Sequence, residues 1–92
     1  MYEWDEQKNK SNFAKHGLDF ADAEHVFSGP DRVTYRDARF DYGEDRFITL
    51  GLLKGRVVVI AYTQRGEKTR IISMRKGNDR EQKTYQKRLG TN

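Results

Sequence analysis

The run Arg56-Val57-Val58-Val59-Ile60-Ala61-Tyr62-Thr63-Gln64 constrains this chain more than any other stretch, because its middle stays apolar at odd and even positions alike. Four successive β-branched residues favour extended backbone. A strand alternates its side chains between two faces, so an apolar middle at both parities describes a central strand covered on both sides. Such a strand needs partners, and the chain has little apolar material to supply them. Only 35% of its 92 residues are hydrophobic, and another 35% are charged. That predicts one domain, residues 1–92, with one modest core and a thin stability margin. A chain with so thin a margin is suited to pairing with another.

The flanking segments supply the partners. Arg46 to Leu53 (RFITLGLL) alternates, and Lys54-Gly55 is a two-residue turn of the kind that closes hairpins. Arg65-Gly66-Glu67-Lys68 turns the chain into a further strand over residues 69–76, and Arg32 to Tyr35 forms a weaker one. Upstream the pattern is helical, after a short edge strand at Tyr2-Glu3-Trp4. Asp5 caps a polar helix, EQKNKSNFAKH, which Gly17 ends, and Trp4 packs against it. Asp19 caps a second helix with Phe20, Ala23 and Phe27 at helical spacing and Val26 beside them, until Ser28-Gly29-Pro30 stops it. Beyond Lys76-Gly77, either Asn78 or Asp79 caps a last helix, REQKTYQKRL. The order β-α-α-β-β-β-β-α predicts an α+β domain: two N-terminal helices packed on an antiparallel sheet, plus a C-terminal helix. Tyr62 belongs to the core, and Gly51 marks a bulge or a close backbone approach.

Several function classes fall away. The chain has no cysteine, so it holds no disulfide and no thiolate metal site. His16 and His25 stand far apart without a carboxylate at ligand spacing, and neither a metal nor a cofactor is implied. No apolar run approaches the roughly 20 residues of a membrane span. The opening MYEWDEQK has no signal-peptide character. These features predict a cytoplasmic protein with no membrane partner.

Charge is divided unevenly. Residues 1–50 carry seven Lys/Arg and eleven Asp/Glu, whereas residues 51–92 carry eleven and three. A basic half of this kind suits a polyanion or an acidic partner; the alternative is a lysine-rich solvated surface. Six of the eleven late cations are arginines, whose forks match phosphate oxygens two at a time. Alternation within residues 69–76 puts Ile72 and Met74 on the face toward the helices and Ile71, Ser73 and Arg75 on the other. Thr63 and Arg65 converge with Arg70 across the turn, and the last helix returns Arg80, Lys83 and Tyr85 toward the sheet. Cations, hydroxyls and a ring together suit single-stranded nucleic acid. Each group also has a plainer role. Arg75 also fits as an edge cation that discourages strand pairing, Tyr85 as an anchor for its helix, and His16 as a partner for carbonyls at a helix end. His25, beside acidic neighbours, has no role.

Taken in order, EWDEQKNKSNFAKHGLDFADAEHVF, DYGEDRFITLG, VVVIAYTQRG and RIISMRK, then a helix with Arg80-Glu81 and Tyr85, resemble the BrnT toxins of bacterial type II toxin–antitoxin systems. The resemblance covers essentially the whole chain. It implies a RelE-like fold and metal-independent RNA cleavage that stops translation and growth. It also implies neutralisation by a BrnA-type ribbon-helix-helix antitoxin, two toxins and two antitoxins forming a heterotetramer that reaches operator DNA only through the antitoxin. In such an enzyme the 2′-hydroxyl attacks the adjacent phosphorus, a base takes its proton, an acid protonates the departing 5′ oxygen, and cations hold the growing charge. The resemblance then implies that Arg65, Arg70 and Arg75 stabilise charge and that Tyr85 donates a proton or stacks a base. It makes His16 or Lys15 the base, with Lys15, Arg46, Lys76, Arg80 and Lys83 binding RNA. The rival reading is a basic module that binds RNA or an antitoxin without cutting.

Overall fold

The computed structural model describes residues 1–39 and 41–90. The chain runs through β1 (Tyr2–Glu3), α1 (Glu6–His16), a 3-10 turn (Phe20–Asp22), α2 (Ala23–Ser28), β2 (Arg32–Arg36), β3 (Arg46–Leu53), β4 (Arg56–Arg65), β5 (Lys68–Lys76) and α3 (Asp79–Gly90). Among the described residues this is an α+β arrangement of three α-helices and a five-stranded sheet ordered β1-β5-β4-β3-β2. β4 lies in the middle, with Val57, Val58, Val59 and Ile60 all buried. Lys54 (φ 53°) and Gly55 (φ 77°) both take left-handed backbone, the conformation that a tight hairpin between β3 and β4 requires.

The sheet is mixed, where an antiparallel one was expected. β1 runs parallel to β5, pairing Tyr2 with Thr69 and Glu3 with Arg70, while the other pairs are antiparallel. β1 and its partner β5 are separated by the two N-terminal helices and three strands, so no hairpin obliges β1 to run antiparallel to β5.

α1 has well-formed ends and no apolar stripe. Asp5 accepts the amides of Gln7 (2.9 Å) and Lys8 (3.2 Å), and Gly17 closes the helix at φ 71°. Its only buried residue is Asn9. Two asparagines therefore do the anchoring. Asn9 accepts the Phe20 amide at 2.9 Å and donates to Asp19 at 3.2 Å. Asn12 donates to the Met74 carbonyl at 2.8 Å and accepts the Met74 amide at 3.2 Å. Asn12 thus fills the outer edge of β5 beyond the reach of β1, which shields that edge from foreign strands.

The second helical segment differs from the single helix expected after Asp19. Asp19 caps Ala21 (2.9 Å), the Asp22 amide closes back on the Asp19 carbonyl (2.9 Å), and α2 begins only at Ala23. A 3-10 turn at a helix entry is a common way to tighten it. The apolar stripe survives, with Phe20, Ala23 and Val26 buried against Leu53, Val58, Ile60, Ile71 and Met74. Phe27 stacks on Tyr2 (5.6 Å) and meets Tyr62 edge-on (5.0 Å). Trp4 meets Phe20 edge to face at 6.3 Å and packs against this core. Gly51 is a close approach: a Cβ there would lie 2.5 Å from Val26 Cγ1.

On the other face, Val33, Ile48, Leu50, Val57 and Val59 bury against Tyr85 of α3. Asn78 and Glu81 cap α3 reciprocally. Asn78 Oδ1 accepts the Glu81 amide (2.8 Å), and Glu81 Oε1 accepts the Asn78 amide (2.9 Å).

One irregularity changes the reading of β5. Ser73 pairs with Ala61 but Ile71 pairs with Tyr62, so Ile72 is an extra residue in a bulge. Strict alternation placed Ile72 on the helix face and Ile71 opposite. The bulge instead turns both Ile71 and Met74 into the helix-side core and leaves Ile72 half-buried.

Candidate nucleic-acid interface

The bulge at Ile72 has its main consequence on the face away from α1 and α2. Five positions separate Arg70 from Arg75, so strict alternation would put them on opposite faces. One extra residue between them brings both onto the same face. α3 covers one part of this face, over β2, β3 and β4, through Tyr85. α3 leaves the remainder uncovered, and that part is cationic, although Thr63 within it is buried and donates to the Asp45 carbonyl at 2.6 Å. Register aligns Arg46, Thr63, Arg70 and Glu3 in one row across β3, β4, β5 and β1, and pairs Arg65 with Lys68 in the next row on that face.

Arg46 is held by a hydrogen bond and a ring, and the cations around it by longer contacts. Arg46 lies 3.2 Å from Glu44 and 4.0 Å above the Tyr42 ring. Arg65 reaches Glu44 at 3.4 Å, Arg70 reaches Glu3 at 3.6 Å and Lys68 reaches Glu3 at 4.0 Å. Partly exposed pairs at such distances contribute little to stability.

Arg75, farther along β5, is held tightly. Its Nη1 and Nη2 donate to the two Glu81 oxygens at 2.7 Å each. The contact raises the proton affinity of Arg75 and lowers that of Glu81. Glu81 therefore caps α3 and orients Arg75 with one carboxylate. A second arginine is held in the same manner nearby. Arg39 donates through Nε (2.8 Å) and Nη2 (2.9 Å) to Asp37, which also accepts the Tyr42 hydroxyl at 3.2 Å. Asp37 is buried, yet the Arg39 guanidinium holds its carboxyl far below the usual carboxylate range. Arg39 and Arg75 line one cavity of about 150 Å3 together with Tyr35, Ile48, Val59 and Glu81.

Of the residues singled out in the sequence, Arg46, Arg65, Arg70 and Arg75 come together on the open face, with Arg70 and Arg75 roughly 15 Å apart along β5. Tyr85 lies elsewhere. It is 5% exposed, its hydroxyl donates to the Asp31 carbonyl at 3.1 Å, and burial raises its pKa, all of which fit an anchor for α3. Arg80 and Lys83 are exposed on α3, and Lys76 is exposed at the end of β5 with the parity of Met74, toward the helix side. Lys15 and His16 occupy the last turn of α1, beside the outer edge of β5. Among the described residues, no hydrogen bond or ion pair joins them to the arginines. Sequence reading missed Asp37, Arg39, Glu44 and Glu81. The Asn78-x-x-Glu81 spacing carries a capping-box signal, whereas nothing in Asp37-x-Arg39 announces a bidentate pair.

An α+β fold that gathers arginines on the sheet face opposite α1 and α2, beside α3, belongs to the class of proteins suited to meet a polyanion. Residues 4–81 match the family of ribonuclease toxins, BrnT, of type II toxin–antitoxin systems, and the chain belongs to that family. It is thus a ribonuclease toxin whose type II system supplies a protein antitoxin as partner. No individually curated protein matches the chain. Among the described residues, no helix is long and apolar enough to cross a membrane.

Proposed function

We propose that the chain cuts RNA on the open sheet face, at its Arg75 end. The observation that carries this is the bulge at Ile72, which puts Arg46, Arg65, Arg70 and Arg75 on one surface. Arg70 and Arg75 are too far apart to share a phosphate. Arg46, Arg65 and Arg70 hold flanking phosphates, and Arg75, fixed by Glu81, stabilises the charge that grows on the phosphoryl oxygens. The 2′-hydroxyl gives up its proton as its oxygen bonds the adjacent phosphorus, and the bond from phosphorus to the 5′ oxygen breaks as that oxygen takes up a proton from solvent. Arginine stays protonated at neutral pH, so none of these four serves as the base. His16→Ala and Lys15→Ala test the two α1 groups in that role. Arg80 and Lys83 extend the cationic path along α3, and Lys76 lies beyond the strand end. Tyr85 enters as the anchor that holds α3, not as the acid.

The wider reading follows the family: a single RelE-like domain that needs no metal, acts in the cytoplasm, and halts translation and growth. A BrnA-type ribbon-helix-helix antitoxin, two copies with two toxins, neutralises it and carries any contact with operator DNA. The element order and the thin, highly charged chain support this reading. Inducing the chain alone in bacteria should arrest growth with loss of intact RNA, and inducing the Arg75→Ala chain should do neither. Intact RNA under growth arrest would move the toxic action away from RNA cleavage.

A further inference from the structure

The geometry points to a two-arginine anion site in the cavity between the β2–β3 connection and the start of α3, where Arg39 and Arg75 grip one phosphodiester group from two sides. It rests on the ribonuclease reading in one respect, that the gripped phosphate is the scissile one.

Arg39 and Arg75 line the same cavity. Its volume of about 150 Å3 has room for a group the size of a phosphate. Both guanidiniums are fixed by two-point carboxylate contacts of 2.7–2.9 Å, Arg39 on Asp37 and Arg75 on Glu81. Despite that anchorage the Arg39 side chain is 68% exposed and that of Arg75 39%. Two cations beside one cavity repel each other, and Arg39 acts electrostatically on Arg75 and Glu81 alike. The carboxylates of Asp37 and Glu81 offset that repulsion, so both forks stay in place before an anion arrives. Donors held ready in this way need no reorganisation as charge develops.

Asp37 explains itself best in this arrangement. A carboxylate side chain only 4% exposed, at the end of an edge strand, is costly to bury and contributes nothing apolar to the core. It is a positioning residue. Its two oxygens set the angle of Arg39, and the Tyr42 hydroxyl at 3.2 Å braces it.

The test titrates the full chain with inorganic phosphate and follows the arginine Nε–H signals by NMR, alongside single-turnover RNA cleavage. The signals of Arg39 and Arg75 should shift together with one affinity. Arg39→Lys keeps a cation beside Asp37, so it avoids the unpaired buried charge that could unfold Arg39→Ala; an unchanged melting temperature checks this. Arg39→Lys should weaken phosphate binding about tenfold or more and slow cleavage about a hundredfold. Asp37→Asn should slow cleavage as well while leaving the Arg46, Arg65 and Arg70 signals unmoved. Phosphate shifts confined to those three arginines, or wild-type cleavage by Arg39→Lys, would overturn the two-arginine site and leave the ribonuclease reading intact. Joint shifts of Arg39 and Arg75 in a chain that leaves RNA whole would do the reverse.

Discussion

Arg75 shows what a single residue adds when its neighbour is known. Parity along the strand placed it on the face opposite the two N-terminal helices, and it is there, beside α3. Glu81 was out of sight because its role as a capping residue is local, six residues on, while its second role depends on how α3 meets the sheet. Arg75→Ala should lower single-turnover RNA cleavage about a hundredfold or more. Stability should fall by no more than about 1 kcal/mol, since the lost pair is partly exposed. Wild-type cleavage by that variant would return Arg75 to the plain role of an edge cation. The same contacts set an acid limit. The fold lowers the proton affinity of Glu81 through Arg75 and of Asp37 through Arg39. Both therefore favour the folded state once ionised, at pH above their ordinary values of 4.5 and 3.8, and that contribution fades as pH falls through the lower folded values. Urea midpoints followed down through the carboxylate range should fall less steeply for Glu81→Gln and Asp37→Asn than for the wild type. Equal slopes in all three would mean that neither pair is linked to folding.

At the scale of elements, signals that act over a few residues were legible and those that depend on partners were not. Asp5, Gly17 and Lys54-Gly55 mark their helix ends and hairpin because caps and tight turns are local chemistry. The direction of β1 and the bulge in β5 are properties of pairing. The stretch Arg70-Ile71-Ile72-Ser73-Met74 looks like regular alternation either way. A simple comparison separates the two registers. Ile71, 2% exposed, lies in the helix-side core, so Ile71→Ala should cost about 2–5 kcal/mol. Ile72→Ala should cost distinctly less, because the bulge leaves that side chain half-buried. Equal losses in chemical denaturation would argue for the regular strand. α1 offers a second check, since it is held by amides instead of an apolar stripe. Asn12→Ala strands the amide and carbonyl of the buried Met74, which should cost about 1–3 kcal/mol. Hydrogen exchange at the Met74 amide should accelerate with it, and unchanged protection there would mean that α1 does not seal the edge.

For the whole molecule, the division into an acidic first half and a basic second half was plain in composition but does not survive folding as two separate faces. Glu3 and Glu44 come from the acidic half and settle among the arginines of the basic one, and Arg46 crosses in the same way. Counting charges along a chain says that a cationic surface exists; it does not say which carboxylates will share it. That mixture has a measurable signature. RNA lying on the open face would meet Arg46, Arg65, Arg70 and Arg75, four phosphate contacts in all. Each contact on a single strand contributes about −0.7 to the slope of log K against log salt, so the full slope should be near −3. Arg65→Ala should reduce the slope by about 0.7 and weaken binding to every sequence alike, because phosphate contacts carry no base information. Glu44→Gln, which releases Arg46 and Arg65 from a shared carboxylate, should strengthen binding at every salt concentration while leaving the number of phosphate contacts, and hence the slope, unchanged. Fluorescence anisotropy of a labelled RNA across a salt series reads all three. A flat salt dependence for the wild type would rule out the arginine face as the place where RNA binds. A steeper slope after Glu44→Gln would mean that the carboxylate was blocking a phosphate contact outright, not merely competing for it.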